Sequence, residues 1–139
     1  MERTWFVVAD QSQAQLFKVT GTQLDPELES VELLEHPEAR ESNASSSGMH
    51  FSYVDTDGPS QEEERRFIRQ VVEKLKRARE RGEFRKLYIA APANFIGKAR
   101  NLYGNALAQT ISKEIVGDYT NENARALTDR IKKRDWLKN

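Results

Sequence analysis

The chain has 139 residues, no cysteine, 37% hydrophobic and 32% charged content, and a formal net charge of zero. Its length suits one domain spanning 1–139, burying about two-thirds of the surface that the unfolded chain exposes. The absence of cysteine excludes disulfides and thiolate metal sites, and Met1-Glu2-Arg3-Thr4-Trp5 opens no signal-peptide or membrane-spanning run, so a cytoplasmic protein without a membrane partner is expected.

Thr4 to Asp10 reads as a first strand, with Phe6 and Val8 on one face and Trp5, Val7 and Ala9 on the other. Apolar residues on both faces predict a central position. Asp10-Gln11-Ser12 is a turn, and Ala14 to Val19 returns as a second strand. From Glu29 to Glu35, Val31 and Leu33 alternate with Ser30 and Glu32, which fits a half-exposed edge strand. Short turns between these three strands predict an antiparallel meander.

A long loop follows at about 37–60. Its turn formers include Ser45-Ser46-Ser47-Gly48 and Asp57-Gly58-Pro59, while Met49, Phe51, Tyr53 and Val54 are its few core candidates. A loop of that length is expected to be either functional or disordered. Ser60 can then cap a helix with Glu62, Glu63 and Glu64 in its first turn and the stripe Phe67, Ile68, Val71, Val72, Leu75 and Ala78 beneath. Gly82 ends it as a left-handed residue.

Leu87 to Ala91 is an unbroken apolar run suited to a buried strand, stopped by Pro92. Ala99, Leu102, Tyr103, Ala106, Leu107, Thr110 and Ile111 predict one helix after it. Within Glu114 to Thr120, Ile115, Val116 and Tyr119 allow a short last strand. Asn121 can cap a final helix whose stripe is Ala124, Leu127, Ile131 and Trp136. The order βββαβαβα, a meander continued by parallel strands with helices covering the sheet, is an α/β ribonuclease H-like mixed sheet.

That layout invites a test for metal-dependent chemistry. A two-metal nuclease needs converging carboxylates. Asp10 stands at the end of the first strand and Glu73 or Glu80 on the first helix, but the next strand ends in Ala90-Ala91-Pro92 without a carboxylate. His36 and His50, in or beside the long loop with Asp55 and Asp57, lack rigid ligand spacing and read as solvated loop residues. No nucleophile elbow or phosphate-binding Gly-x-x-x-x-Gly-Lys motif is present. These residues predict no catalytic group, metal site or cofactor.

Two binding candidates remain. The turn at 92–100 places Asn94, Gly97, Lys98 and Arg100 at a strand's carboxyl end and a helix start, where an anion can bind. Its bland counterpart has Asn94 as a cap, Gly97 for close packing and two solvated cations. The second candidate is the basic side of the first helix: Arg65, Arg66, Arg69, Lys76 and Arg77. Charge is divided along the chain. Residues 1–60 hold 3 Lys and Arg against 11 Asp and Glu, a balance of −8, and residues 61–139 hold 19 against 11, a balance of +8. Clustered cations of this sort can serve phosphate contacts with RNA; the bland counterpart is that the two halves mix in space and the surface is evenly salted. Tyr103, Tyr119 and Trp136 are the loose candidates for stacking.

Val7-Val8-Ala9-Asp10, then Ala14-Gln15-Leu16-Phe17, resembles the opening of the bacterial host attachment proteins, described as "protein required for attachment to host cells". Pro37-Glu38-Ala39-Arg40, the Phe67-bearing helix, Ala90-Ala91-Pro92 before Phe95-Ile96-Gly97-Lys98-Ala99-Arg100, and Asp118-Tyr119-Thr120 are similar to that family's segments. The family is similar in layout to the middle domain of archaeo-eukaryotic translation release factors. There a loop carries Gly-Gly-Gln for peptidyl-tRNA hydrolysis; here the equivalent 40–60 loop has Gly48 and Gly58, with Gln61 after it, and no such tripeptide. The resemblance thus implies association with the ribosome or structured RNA, through the basic helices and the 40–60 loop, by a binding protein rather than an enzyme. The alternative is an enzyme or sensor that takes a phosphorylated or nucleotide ligand near Asp10 and the 92–100 turn.

Overall fold

In a computed structural model, which describes residues 2–36 and 61–137, strand β1 (Thr4–Ala9) is buried at every residue. It lies in the middle of one five-stranded sheet. β1 pairs antiparallel with β2 (Gln13–Gly21), which pairs antiparallel with the edge strand β3 (Pro26–Glu35). On its other side β1 pairs parallel with β4 (Lys86–Ala91), and β4 with β5 (Ile111–Val116). The order β3-β2-β1-β4-β5 is the ribonuclease H-like arrangement that the sequence predicts.

The alternation along β1 divides the core. Trp5, Val7 and Ala9 point to the layer of α1 (Gln61–Glu80), α2 (Ala93–Arg100) and α3 (Gly104–Ala108), where Phe67, Ile68, Val71, Leu75, Phe95 and Leu107 are buried. Phe6 and Val8 point to α4 (Ala124–Arg134) and join Phe17, Tyr88, Ile115, Leu127, Ile131 and Trp136. α1 ends as expected. Gly82 takes a left-handed φ of 74°, and the Glu83 N–H donates to the Ala78 carbonyl at 3.0 Å, closing the last turn.

Several boundaries differ from those predicted. The single helix expected after β4 is two, because the chain turns at Asn101–Tyr103 and Gly104 adopts a φ of 72°. Ile111, counted on the helical stripe, instead opens β5, and the preceding Thr110 carbonyl accepts from the Leu87 N–H at 2.8 Å. Pairing with a buried strand outweighs continuing a short helix. The last strand therefore begins at Ile111 rather than Glu114. Pro92, not Asn94, stands at the N-cap of α2, and Asn123, not Asn121, caps α4 by accepting from the Ala126 N–H at 2.9 Å. His36 is buried rather than solvated, with its ring against Phe67 and Nε2 3.1 Å from the Glu63 carbonyl oxygen. The loop at 37–60, including His50, Asp55, Asp57 and the Ser60 cap, lies outside the described residues.

Candidate functional site

The apolar stripe of α1 lies on the sheet, and this fixes where its cations point. At 3.6 residues per turn, Arg65, Arg69 and Lys76 fall within about 40° of one another around the helix, on one flank of the stripe. Arg66 and Arg77 lie about 100° further round, on the solvent side. The flank carrying Arg65, Arg69 and Lys76 faces α2 and α3: Lys76 Nζ lies 3.8 Å from the place a β-carbon would take on Gly104.

Between α1 and α2 this flank opens into a groove of about 150 Å³ lined by Arg65, Ile68, Arg69, Lys98, Asn101 and Leu102. Ile68 and Leu102 give it an apolar floor. Arg65 and Arg69 are exposed and have no side-chain ion pair or hydrogen bond among the described residues. Lys98 reaches in from α2, with Nζ 3.2 Å from Glu64 Oε1. Arg66 is 4.0 Å from Glu62 across one helical turn, and Lys76 is 3.8 Å from Glu73, both partly exposed pairs of small energetic value. Two separate lists of sequence candidates thus meet at one place, through Arg65, Arg69 and Lys98.

The rest of the 92–100 turn goes elsewhere. Asn94 and Gly97 are exposed, and a β-carbon on Gly97 would meet nothing within 4 Å, so close packing does not explain that glycine. Arg100 turns to β5, where Nη2 and Nε donate to Glu114 Oε1 at 2.5 and 3.0 Å. The other Glu114 oxygen accepts from the Tyr103 hydroxyl at 3.1 Å. Burial, then the Glu114 charge, push the Tyr103 hydroxyl far above its usual titration range, and the carboxylate holds Arg100 more firmly protonated. These groups border a shallow concavity of about 450 Å³ beside β5, where Arg100 and Glu114 neutralise one another.

Asp10 is occupied by the fold. Its Oδ1 accepts from the Ser12 N–H at 2.8 Å, the Ser12 hydroxyl at 3.0 Å and the Gln13 N–H at 2.9 Å, closing the β1–β2 turn. Its Oδ2 lies 2.8 Å from the Thr120 hydroxyl, which is also 3.1 Å from Asp118 Oδ1. One hydroxyl proton serves one acceptor at a time, and the shorter contact is to Asp10. Among the described residues no three His, Cys, Asp or Glu side chains gather as a metal site would require.

The aromatic candidates are likewise packed. Tyr103 and Trp136 are buried, Trp136 stacks on Phe6 with centroids 5.9 Å apart, and Tyr119 lies under Arg130 at 5.0 Å. Any ligand in the α1–α2 groove meets cations, the Asn101 amide and aliphatic side chains.

Residues 5–131 match the family described as "Protein required for attachment to host cells". The chain belongs to that family. No curated protein sequence matches it. Among solved structures it is similar to an archaeal translation termination factor, with a TM-score of 0.52 and 13% identity over 98% of this chain and 40% of that one. An archaeal protein gives a TM-score of 0.49 at 11% identity, over 96% of this chain and 34% of that one. The PPX-GPPA enzyme of Aquifex aeolicus gives 0.47 at 10%, over 83% and 36%. This chain therefore spans well under half the length of those proteins, and identities this low speak to the fold alone.

In this host attachment family member, three of the segments that carry the resemblance fall at one end of the sheet. Ala9-Asp10 leaves β1, Ala90-Ala91-Pro92 leaves β4, and Asp118-Tyr119-Thr120 follows β5. The Asp10–Thr120 hydrogen bond spans 110 residues and had no signal in spacing. Among the described residues no helix is long and apolar enough to cross a membrane.

Proposed function

We propose that this family member is a non-catalytic binding protein for structured RNA, gripping the phosphate backbone along the flank of α1. The observation that carries this reading is the α1–α2 groove. There Arg65 and Arg69, without acidic partners among the described residues, converge with Lys98 over Ile68 and Leu102. Lys76 continues the same flank towards α3. Guanidinium groups present several donors in a planar fork that matches phosphate oxygens, so two unpaired arginines one helical turn apart suit a backbone. The archaeal termination factor with a similar fold is a protein of translation, a setting rich in structured RNA. The rival nucleotide reading near Asp10 has less support, since Asp10 and Arg100 already hold internal partners.

Arg65, Arg69 and Lys76 represent about three phosphate contacts, so log affinity is expected to fall with log salt at a slope between about −2 and −3. The test is fluorescence anisotropy with a labelled RNA hairpin across a salt series, for the wild type and for R65E/R69E. The double reversal is expected to weaken binding more than tenfold at low salt and to flatten the slope by at least about 1.4. Equal binding by both proteins, or none by the wild type at low salt, would refute the reading.

A further inference from the structure

Lys98 differs from the other cations of the groove. Among the described residues Arg65 and Arg69 have no partner, whereas Lys98 is held by Glu64, a residue of the first turn of α1 on the other side of the groove. The Glu64 side chain is only 15% exposed and that of Lys98 34%. This is a sheltered contact between two helices, 34 residues apart in sequence. Oxygen Oε1 lies 3.2 Å from the ammonium, longer than the about 2.7–2.9 Å of a strong charge-assisted hydrogen bond, and so leaves room for a better acceptor.

We infer that Glu64 is an internal stand-in for the RNA phosphate, holding Lys98 at the groove wall in the empty protein and yielding it when the backbone enters. The inference rests on the RNA reading above. Its consequence is a limit on affinity. A phosphate that takes Lys98 from Glu64 gains one contact while leaving one carboxylate unpaired, so net ion release at this position is close to zero. Glu64 lies in the first turn of α1, where the helix dipole tolerates an unpaired negative charge. The groove therefore discriminates: a ligand must offer phosphates to Arg65 and Arg69 before Lys98 is exchanged.

The test compares the wild type, E64Q, K98Q and E64Q/K98Q in the same hairpin titration across salt. Glu64→Gln preserves side-chain shape, removes the competing charge and turns Lys98 into a counted contact. E64Q is expected to bind about two- to tenfold more tightly at moderate salt, with a slope steeper by about 0.7–0.9. In E64Q/K98Q that gain should vanish. An E64Q protein that is folded by circular dichroism but binds no more tightly than wild type overturns the inference, as does a gain that persists without Lys98. If wild type binds and R65E/R69E does not, while E64Q is neutral, the RNA reading stands and this inference alone falls. If no variant binds RNA, both fall.

Discussion

Replacing Thr120 by valine keeps the side-chain shape and removes one O–H donor. Thr120 is buried, and its hydroxyl is 2.8 Å from Asp10 Oδ2, the oxygen left over after Oδ1 has closed the β1–β2 turn. A hydrogen bond to a charged acceptor contributes about 1.5–3 kcal/mol. Asp10 is half-buried, so water regains part of that, and the added methyl group is buried; the net cost should be about 1.5 kcal/mol. For a domain of this size that lowers Tm by about 6 °C. Asp10→Ala, which also strips acceptors from the Ser12 and Gln13 amides, should cost about 3 kcal/mol. Asp10→Asn keeps the turn acceptor and should cost less than about 1 kcal/mol. Urea unfolding of the two single variants and D10A/T120V gives a double-mutant cycle. A coupling of about 1 kcal/mol is expected if the contact fastens the 118–120 segment to the sheet. Strict additivity, or a Thr120→Val protein as stable as wild type, would refute the view that Asp10 is a structural residue.

Other parts of the fold give separate tests. Tyr103 titrates above its unfolded value, so the stability it supplies is complete below about pH 10 and is lost as the pH rises beyond that towards the folded value. Thermal melts between pH 8 and 11 should show a fall that Tyr103→Phe lessens; an identical fall would contradict the assignment. Leu127, on the inner face of α4, is fully buried, and Leu127→Ala should cost about 2–5 kcal/mol in urea unfolding. A cost below about 1 kcal/mol would mean that α4 is not packed as described. Gly82→Ala, at a φ of 74°, should cost about 1 kcal/mol although the added β-carbon would meet only the Arg3 guanidinium, at 4.0 Å.

The parts of the fold legible in the sequence are those in which one local pattern dominates. β1 and β4 are apolar on both faces, and a strand of that kind belongs in the middle of a sheet. α1 carries a complete 3.6-residue stripe ending in glycine. The α2–α3 region misled because its apolar spacing continues through Tyr103 to Ile111, while the turn at Gly104 and the pairing of β5 with β4 are tertiary outcomes. The site was legible residue by residue but not as a place. Arg65 and Arg69 read as a helix face and Lys98 as part of a strand–helix turn, and only the packing of α2 beside α1 puts them in one groove. Glu64 read as a first-turn acid favoured by the helix dipole, with nothing local to announce Lys98 as its partner. Trp136 packs with Leu127 and Ile131 as the stripe suggests, but from beyond α4, which ends at Arg134; the left-handed Asp135 that turns it into the core has no marker of its own.

The central claim is that RNA lies along the α1 flank, over the groove shared with α2. Amide chemical shifts followed through an RNA hairpin titration at low salt test it most directly. Perturbations concentrated at residues 64–69, 76 and 98–102 are predicted. Perturbations confined to α4, or an unchanged spectrum, would contradict it.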